Sequence, residues 1–165
     1  MERLMVPGEQ SGSGTSSGPD ETHEIGRRIG AVALPGTVLA LIGPLGAGKT
    51  QLTKGVAVGL GVTDVVNSPT FVLMNEHVGR LRLYHVDAYR LGGAEEALAA
   101  GILDDRQTDG VTVIEWADLL DGWLPLERLE IRLAAQASQP MRRALQWTAI
   151  GSGHERVAAE AFGAP

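Results

Sequence analysis

Two apolar patterns in the first third of the chain predict a strand followed by a helix. Residues 37–42 (TVLALI) form a continuous run of β-prone apolar side chains, which is typical of a strand that is buried on both faces. Residues 50–60 instead place apolar side chains at every fourth position and are followed by Gly61, which predicts a helix that ends there. A loop over residues 43–49 joins the two elements.

The chain before this strand divides into a polar tract and a helix. Residues 1–19 contain EQSGSGTSSGP, whose glycines and serines cannot bury enough apolar surface to order the segment, so they predict a disordered tail. Asp20 is a favourable N-cap, and apolar side chains recur on one helical face after it. We therefore expect one ordered domain over residues 20–165 that begins with this helix.

The rest of the chain predicts a hairpin, a further buried strand and a terminal pair of strands. Apolar runs of strand length occur at residues 70–77, 80–86, 111–116, 129–133 and 144–150, and helical patterns occur at residues 95–100 and 153–162. Only Val78 and Gly79 separate the first two runs, which indicates an antiparallel hairpin. The expected architecture is a three-layer α/β domain with a mixed sheet, parallel in its centre and flanked by antiparallel strands.

The loop after the first strand carries the strongest chemical signal. Its sequence GPLGAGKT (residues 43–50) fits the phosphate-binding pattern G-x-x-x-x-G-K-[ST]. The glycines allow backbone N–H groups to converge on phosphate oxygens, Lys49 is expected to bridge the β- and γ-phosphates, and the Thr50 hydroxyl is expected to bind magnesium. The following helix adds its positive N-terminal end. The pattern predicts a P-loop NTPase fold that binds ATP or ADP with Mg²⁺.

Two carboxylates end predicted strands near this loop. A P-loop enzyme needs such a group to hold magnesium or to orient the attacking water. Asp87 ends LRLYHVD, and Glu115 nearly ends VTVIEW, where a carboxylate among buried apolar residues is expensive unless a cation is near. We expect both to act in catalysis with Lys49 and to bind magnesium with Thr50. A turn or helix-cap role for Asp87 stays open.

Other positions near the motif are open to a structural interpretation. Ser68 and Thr70 flank Pro69 where related NTPases keep a loop that senses the γ-phosphate, although a plain turn has the same composition. His85 shares the face of Asp87 and is more typical of a hydrogen-bonded structural residue than of a catalytic one. Trp116 is expected to pack or to contact a partner. The predicted nucleotide-binding residues are Gly43, Leu45, Gly46, Ala47, Gly48, Lys49, Thr50, Gln51, Ser68 and Thr70.

Composition narrows the function classes. The 165 residues carry a formal net charge of -6, the wrong sign for a protein that grips nucleic acid with its whole surface. The chain has no cysteine, which excludes disulfides and thiolate zinc sites. No apolar run approaches the roughly 18 residues of a membrane span, and the N-terminal segment lacks the basic start and apolar core of a secretory signal. We expect a cytoplasmic protein that does not bind membranes.

Taken together, the motifs resemble one family over residues 22–150. The order GPLGAGKT, SPTF, HVDAYRL, EE, AGI and VIEW, followed by LP and two strands, is similar to the bacterial tRNA threonylcarbamoyladenosine biosynthesis protein TsaE (YjeE) family. The resemblance implies an ATPase that assists the TsaB–TsaD pair, which places a threonylcarbamoyl group on an adenosine next to the anticodon of tRNA. It implies that ATP hydrolysis supports repeated turnover and that tRNA is met only through the complex.

The resemblance also assigns roles to individual residues. Thr50 and Glu115 would hold magnesium, Asp87 would be the essential carboxylate of the HxDxYR motif, and Ser68 and Thr70 would border the γ-phosphate.

The resemblance also implies where the adenine lies, and the chain differs from the family pattern at two positions in and next to the loop. The adenine would lie near Thr22 and the stretch of residues 134–143. Pro44 stands where family members usually carry Asp, so any role of that Asp is absent here. Gln51 replaces a hydroxyl that commonly touches the α-phosphate, although its amide can still donate a hydrogen bond.

Two other functions remain open on the sequence alone. A P-loop kinase for a small metabolite needs an arginine-bearing lid and an acceptor pocket, and residues 91–111 are too poor in arginine to make a good lid. A nucleotide-sensing module with negligible hydrolysis is opposed only weakly by the presence of Asp87 and Glu115. Phosphate release without an acceptor would distinguish an ATPase from the kinase.

Overall fold

The structure, a computed structural model, describes residues 8–67, 74–90, 108–120 and 122–163. The helices and strands in these ranges are β1 (Glu9–Ser16), α1 (Pro19–Val32), β2 (Val38–Ile42), α2 (Lys49–Gly59), β3 (Met74–His77), β4 (Leu83–Asp87), β5 (Val111–Glu115), β6 (Arg128–Gln136), β7 (Gln139–Ile150) and α3 (Ser152–Phe162). Two 3₁₀ turns follow β4 and β5, at Ala88–Arg90 and Ala117–Leu120. The predicted helix at residues 95–100 lies outside the described residues.

All the described strands join one sheet in the order β1-β7-β6-β2-β5-β4-β3. The four central strands β6, β2, β5 and β4 run parallel, whereas β3, β7 and β1 pair antiparallel at the two sides. This arrangement confirms the predicted P-loop NTPase fold with a mixed, centrally parallel sheet. It also confirms the hairpin of β3 with β4 and the terminal pair of β6 with β7.

The prediction of a disordered tail over residues 1–19 is wrong for residues 9–16. These residues form β1, which pairs along its whole length with β7 from Ile150 to Arg143. The segment orders itself through backbone hydrogen bonds to a strand at the far end of the chain, and therefore needs no apolar pattern of its own. Helix α1 begins at Pro19, within the same predicted tail.

The strand β2 is buried on both faces, as its continuous apolar run predicts. Leu39 and Leu41 contribute to a large core shared with the described helices, and Ala40 and Ile42 contribute to a smaller one beneath the 3₁₀ turn at residues 117–120. Within the described residues, no helix is long and apolar enough to cross a membrane.

Glycines allow α1 and α2 to pack with their backbones in contact. A Cβ atom on Gly26 or Gly30 of α1 would lie 2.2 Å from Leu52 O or 2.1 Å from Val56 O of α2, respectively. Such distances exclude any side chain at these positions without movement of a helix. The first turn of α2, which carries Lys49 and Thr50, is thereby fixed against α1.

Candidate nucleotide site

The glycine loop, residues 43–50, leaves the carboxyl end of β2 and runs directly into α2. Gly46 and Gly48 have φ angles of +80° and +106°, a region that side chains disfavour. A Cβ atom on Gly43 would lie only 2.5 Å from Leu133 O of β6. The backbone path of the loop therefore requires glycine at these three positions of the motif.

The register of the parallel strands brings the two predicted carboxylates together. Glu115 is paired with Leu41 of β2 on one side and with Asp87 of β4 on the other. Because carboxyl ends of parallel strands meet at one edge of the sheet, both acids lie beside the glycine loop that follows β2. The sequence prediction that Asp87 and Glu115 end strands near the loop is confirmed.

Glu115 is the centre of a buried hydrogen-bond chain. The side chain of Thr50 donates to Glu115 Oε1 over 2.9 Å, and Nε2 of His85 lies 2.5 Å from Glu115 Oε2. Glu115 is 2% exposed and His85 is fully buried. His85 Nδ1 has no hydrogen-bond partner among the described residues, so Nε2 carries the proton and donates to the carboxylate. His85 therefore has the structural role that its position suggested, and its partner is Glu115.

Lys49 of the glycine loop is also buried, with 5% of its surface exposed. Its ammonium donates to Gly43 O over 2.5 Å and to Pro44 O over 2.9 Å. Burial lowers the pKa of Lys49, and the nearby carboxylates, Glu115 first, oppose that shift. A desolvated cation whose hydrogen bonds go to these neutral carbonyls interacts strongly with an arriving anion.

Trp116 forms one wall around this cation. The Lys49 Nζ atom lies 4.0 Å from the centre of the Trp116 ring. The Tyr89 ring packs against the Trp116 ring, with 5.2 Å between the two centroids. Trp116 has a φ angle of +58°, the one positive value at a non-glycine residue in the described ranges. Such a strained backbone conformation persists only where contacts with the surrounding structure hold it in place. The sequence predicted that Trp116 packs or contacts a partner, and the structure adds a cation–π contact with Lys49.

These residues line a cavity of about 520 Å³. Its walls are Leu45, Gly46, Gly48, Lys49, Thr50, Gln51, Asp87, Tyr89, Glu115 and Trp116. Of the predicted nucleotide-binding residues, Gly43 contributes a carbonyl to Lys49 and Ala47 is buried behind the loop, while Ser68 and Thr70 lie outside the described residues. Tyr89 is a wall residue that the sequence did not single out.

The donor set of this cavity fits magnesium and phosphate. In the described residues there is no group of three His, Cys, Asp or Glu side chains that could hold a metal by themselves. Thr50, Glu115 and Asp87 offer one hydroxyl and two carboxylates, and magnesium is usually held by one or two carboxylates together with substrate phosphates. The glycine loop and the buried Lys49 supply the matching environment for those phosphates.

Comparison with known proteins identifies the family. The model of the family described as "Threonylcarbamoyl adenosine biosynthesis protein TsaE" matches residues 16–145. The chain belongs to the TsaE family. The tRNA threonylcarbamoyladenosine biosynthesis protein TsaE of Bacillus subtilis (strain 168) is 43% identical over 143 residues, covering 86% of this chain and 88% of that protein. The protein of the same name from Streptomyces coelicolor is 36% identical over 141 residues, covering 84% of this chain and 95% of that protein.

A solved structure supports the same placement. The crystal structure of Bacillus YdiB superposes with a TM-score of 0.76 at 37% sequence identity, and the match covers 97% of both chains. The fold described above is therefore shared with that relative over nearly the whole length of both chains.

A second cleft of about 160 Å³ adjoins the main cavity behind the glycine loop of this TsaE family member. Both share Gly46, Gly48 and Gln51, and the cleft adds Pro19, Thr22, Met141 and Arg143. These are the regions in which the resemblance to TsaE proteins implied the adenine. The Thr22 hydroxyl lies 2.6 Å from the Ser16 hydroxyl at the end of β1, which fixes this wall of the cleft.

Proposed function

We propose that this protein is a magnesium-dependent ATPase of the cytoplasm that assists the TsaB–TsaD pair in forming threonylcarbamoyladenosine next to the anticodon of tRNA. The observation that carries the proposal is the 2.9 Å hydrogen bond from the Thr50 hydroxyl to Glu115 Oε1, beside the Lys49 ammonium. It joins a hydroxyl from the glycine loop and a carboxylate from a strand end at one point. Those are the oxygen ligands that magnesium prefers in proteins.

Lys49 would bind the terminal phosphates of ATP. Its ammonium now donates to the carbonyls of Gly43 and Pro44, which are neutral acceptors. Hydrogen bonds from a cation to an anionic oxygen are roughly twice as strong as neutral ones. Phosphate oxygens therefore compete effectively for the Lys49 donors, and the Trp116 ring keeps water from one side of the ammonium.

Thr50, Glu115 and Asp87 would hold the magnesium ion, which neutralises phosphate charge when bound. Glu115 is oriented for this task from both sides, because His85 holds Oε2 while the Thr50 hydroxyl contacts Oε1. Asp87 accepts a hydrogen bond from the Tyr89 backbone N–H over 3.0 Å and lines the same cavity. It stands in register with Glu115, where it can orient a water molecule towards the phosphate.

Two features support an assisting role over an independent enzyme. The formal net charge of -6 opposes the electrostatic term that dominates nucleic-acid affinity, so tRNA would be met through partners. The mouth of the cavity also carries apolar side chains that project into solvent, with Leu45 91% and Tyr89 68% exposed. A partner that covers them would exclude water from the site, and a group supplied by a partner can change rates by orders of magnitude in P-loop enzymes.

The test is a phosphate-release assay with the TsaB and TsaD proteins of the same organism added or omitted. We expect slow, magnesium-dependent release from ATP alone, without any acceptor, and a changed rate when both partners are present. Filter binding should show weak tRNA binding by the isolated chain. ADP formation that needs a small-molecule acceptor, with the phosphoryl group found on that acceptor and no phosphate released, would support a kinase instead. A rate indifferent to both partners would refute the assisting role.

A further inference from the structure

Arg143 of β7 is joined to the glycine loop across 96 residues of sequence. Its Nε atom donates to Ala47 O and its Nη2 atom donates to Gly46 O, both over 3.1 Å. Its Nη1 atom donates to Pro140 O over 2.6 Å and to Arg142 O over 3.0 Å. One guanidinium therefore connects two successive loop carbonyls to the first residues of β7.

These two contacts determine the direction of the loop amides. No peptide bond in the described ranges is cis, and in a trans peptide the C=O and the following N–H point in opposite directions. With the Gly46 and Ala47 carbonyls turned towards Arg143, the N–H groups of Ala47 and Gly48 are turned away from it. The Ala47 N–H donates to Pro44 O over 3.1 Å, and the Lys49 ammonium donates to the same oxygen. The amide and the ammonium thus converge on one oxygen atom on the inner side of the loop.

We propose that Arg143 is a positioning residue for phosphate binding, because it holds the Gly46 and Ala47 carbonyls outward and thereby aims the Ala47 and Gly48 amides inward. The inference rests on the proposed function, since it concerns the same phosphates. It assigns the arginine a task that depends on the planar fork of its side chain, and one that a point charge cannot perform.

The geometry separates this role from plain electrostatic attraction. Four donor contacts of Arg143 are taken by backbone carbonyls, two in the loop and two in its own strand. A guanidinium used in this way acts on the nucleotide through the loop. A lysine at the same position would keep the charge but could not bridge both carbonyls in a fixed geometry.

The chain provides a matched control in the adjacent arginine. Arg142 is half-buried like Arg143 but does not line the cleft beside the glycine loop, and its Nη1 atom donates to the Gln139 side chain over 3.3 Å. The substitution Arg142→Met therefore removes the same charge from the same strand without removing a loop contact seen here. Arg143→Met removes both the charge and the fork, and Arg143→Lys removes only the fork.

The experiment measures ADP affinity by calorimetry for the wild type and these three variants, with circular dichroism to show that each is folded. We expect Arg143→Met to weaken ADP binding about tenfold or more, in line with the loss of charge-assisted hydrogen bonds. Arg143→Lys should remain closer to Arg143→Met than to the wild type, and Arg142→Met should bind as the wild type does. Full recovery of affinity in Arg143→Lys, or wild-type affinity in Arg143→Met, would overturn the proposal.

A second measurement keeps the inference separate from the proposed function. Backbone amide NMR of the nucleotide-free protein should show the Ala47 and Gly48 signals displaced in both Arg143 variants and unchanged in Arg142→Met. If the wild type binds neither ADP nor ATP, the proposed function fails, while the amide signals still decide whether Arg143 positions the loop. Unchanged Ala47 and Gly48 signals in both Arg143 variants would refute the positioning role.

Discussion

A Cβ atom on Gly55 of α2 would lie 2.0 Å from the backbone oxygen of His23 in α1. Gly59 shows the same relationship to Arg27 O at 2.1 Å, and Gly26 and Gly30 of α1 face the backbone of α2 in return. The two helices thus contact each other through reciprocal pairs of glycines spaced four residues apart. The distance between α1 and α2 is set by the absence of side chains.

We therefore expect Gly55→Ala to lower the free energy of unfolding by about 1–3 kcal/mol, the usual effect of overpacking. The better helix propensity of alanine opposes this loss but does not relieve the backbone contact. Urea denaturation followed by circular dichroism measures the change. The matched control is Gly153→Ala in α3, where a Cβ atom would meet nothing within 4 Å. Equal effects of the two substitutions would contradict the close-contact explanation.

The second prediction concerns the two lysines of the chain, Lys49 and Lys54. Lys49→Ala should abolish ATP binding while leaving the fold intact, because the ammonium is buried against carbonyls and its desolvation is unfavourable in the empty protein. Lys54→Ala, one turn further along α2, should bind ATP normally. Calorimetric titration with ATP and a thermal melt of each variant check both statements. Normal ATPase activity in Lys49→Ala would eliminate the phosphate-binding assignment.

Glu115→Gln should weaken the response to magnesium more than nucleotide binding itself. The substitution removes one anionic ligand but keeps a side-chain oxygen that can accept from Thr50, so we expect the magnesium midpoint to rise by about an order of magnitude. ADP affinity in the presence of EDTA should change less. The measurement is a magnesium titration of phosphate release, with Asp87→Asn beside it. An unchanged midpoint in Glu115→Gln would leave Asp87 as the main metal-site carboxylate.

His154 predicts a pH dependence of stability. The Val38 N–H donates to its Nε2 atom over 3.0 Å, and burial lowers the pKa of His154 below its usual value of 6.5, opposed mainly by Glu127. The unfolded chain therefore binds the proton more readily than the folded one, so folding is destabilised as the pH falls below about 6.5. At neutral pH this penalty is absent.

The substitution His154→Gln tests this account, because an amide oxygen can still accept from Val38 and does not titrate. Urea unfolding at pH 7.5 and at pH 5.5 should show a smaller loss of stability for the variant than for the wild type. The carboxylates contribute equally in both proteins and cancel in the difference. An identical loss in the two proteins would show that His154 does not sense this pH range.

The sequence predicted the site residues that lie in contiguous elements or at the carboxyl ends of parallel strands. The run of β2, the glycine loop and α2 are contiguous, and the ends of β4 and β5 lie beside them because parallel strands share a carboxyl edge. Lys49, Thr50, Asp87 and Glu115 could be named for that reason. The contact of Arg143 with the loop could not be predicted in this way. Its acceptors are the backbone carbonyls of Gly46 and Ala47, and every residue type has a backbone carbonyl.

The failure at β1 has a different physical cause. Only Ser16 of this strand is fully buried, so no alternation of polar and apolar residues marks it. One of the glycines that indicated disorder is used for packing, because a Cβ atom on Gly12 would lie 2.4 Å from the Trp147 ring. A composition rule treats such a segment as a tail because the partner that orders it, β7, lies more than a hundred residues away.

The pairing of β1 also decides which strand forms this edge of the sheet, because β1 covers β7 and is itself the outermost of the described strands. A chain shortened to begin at residue 17 would expose the outward backbone groups of β7 from Arg143 to Ile150, a ready template for another strand. The same cut would remove the Ser16 hydroxyl that contacts Thr22. The serine-rich segment thus covers β7 and takes its place as the outer strand of the sheet, and we expect its removal to loosen the wall beside the glycine loop.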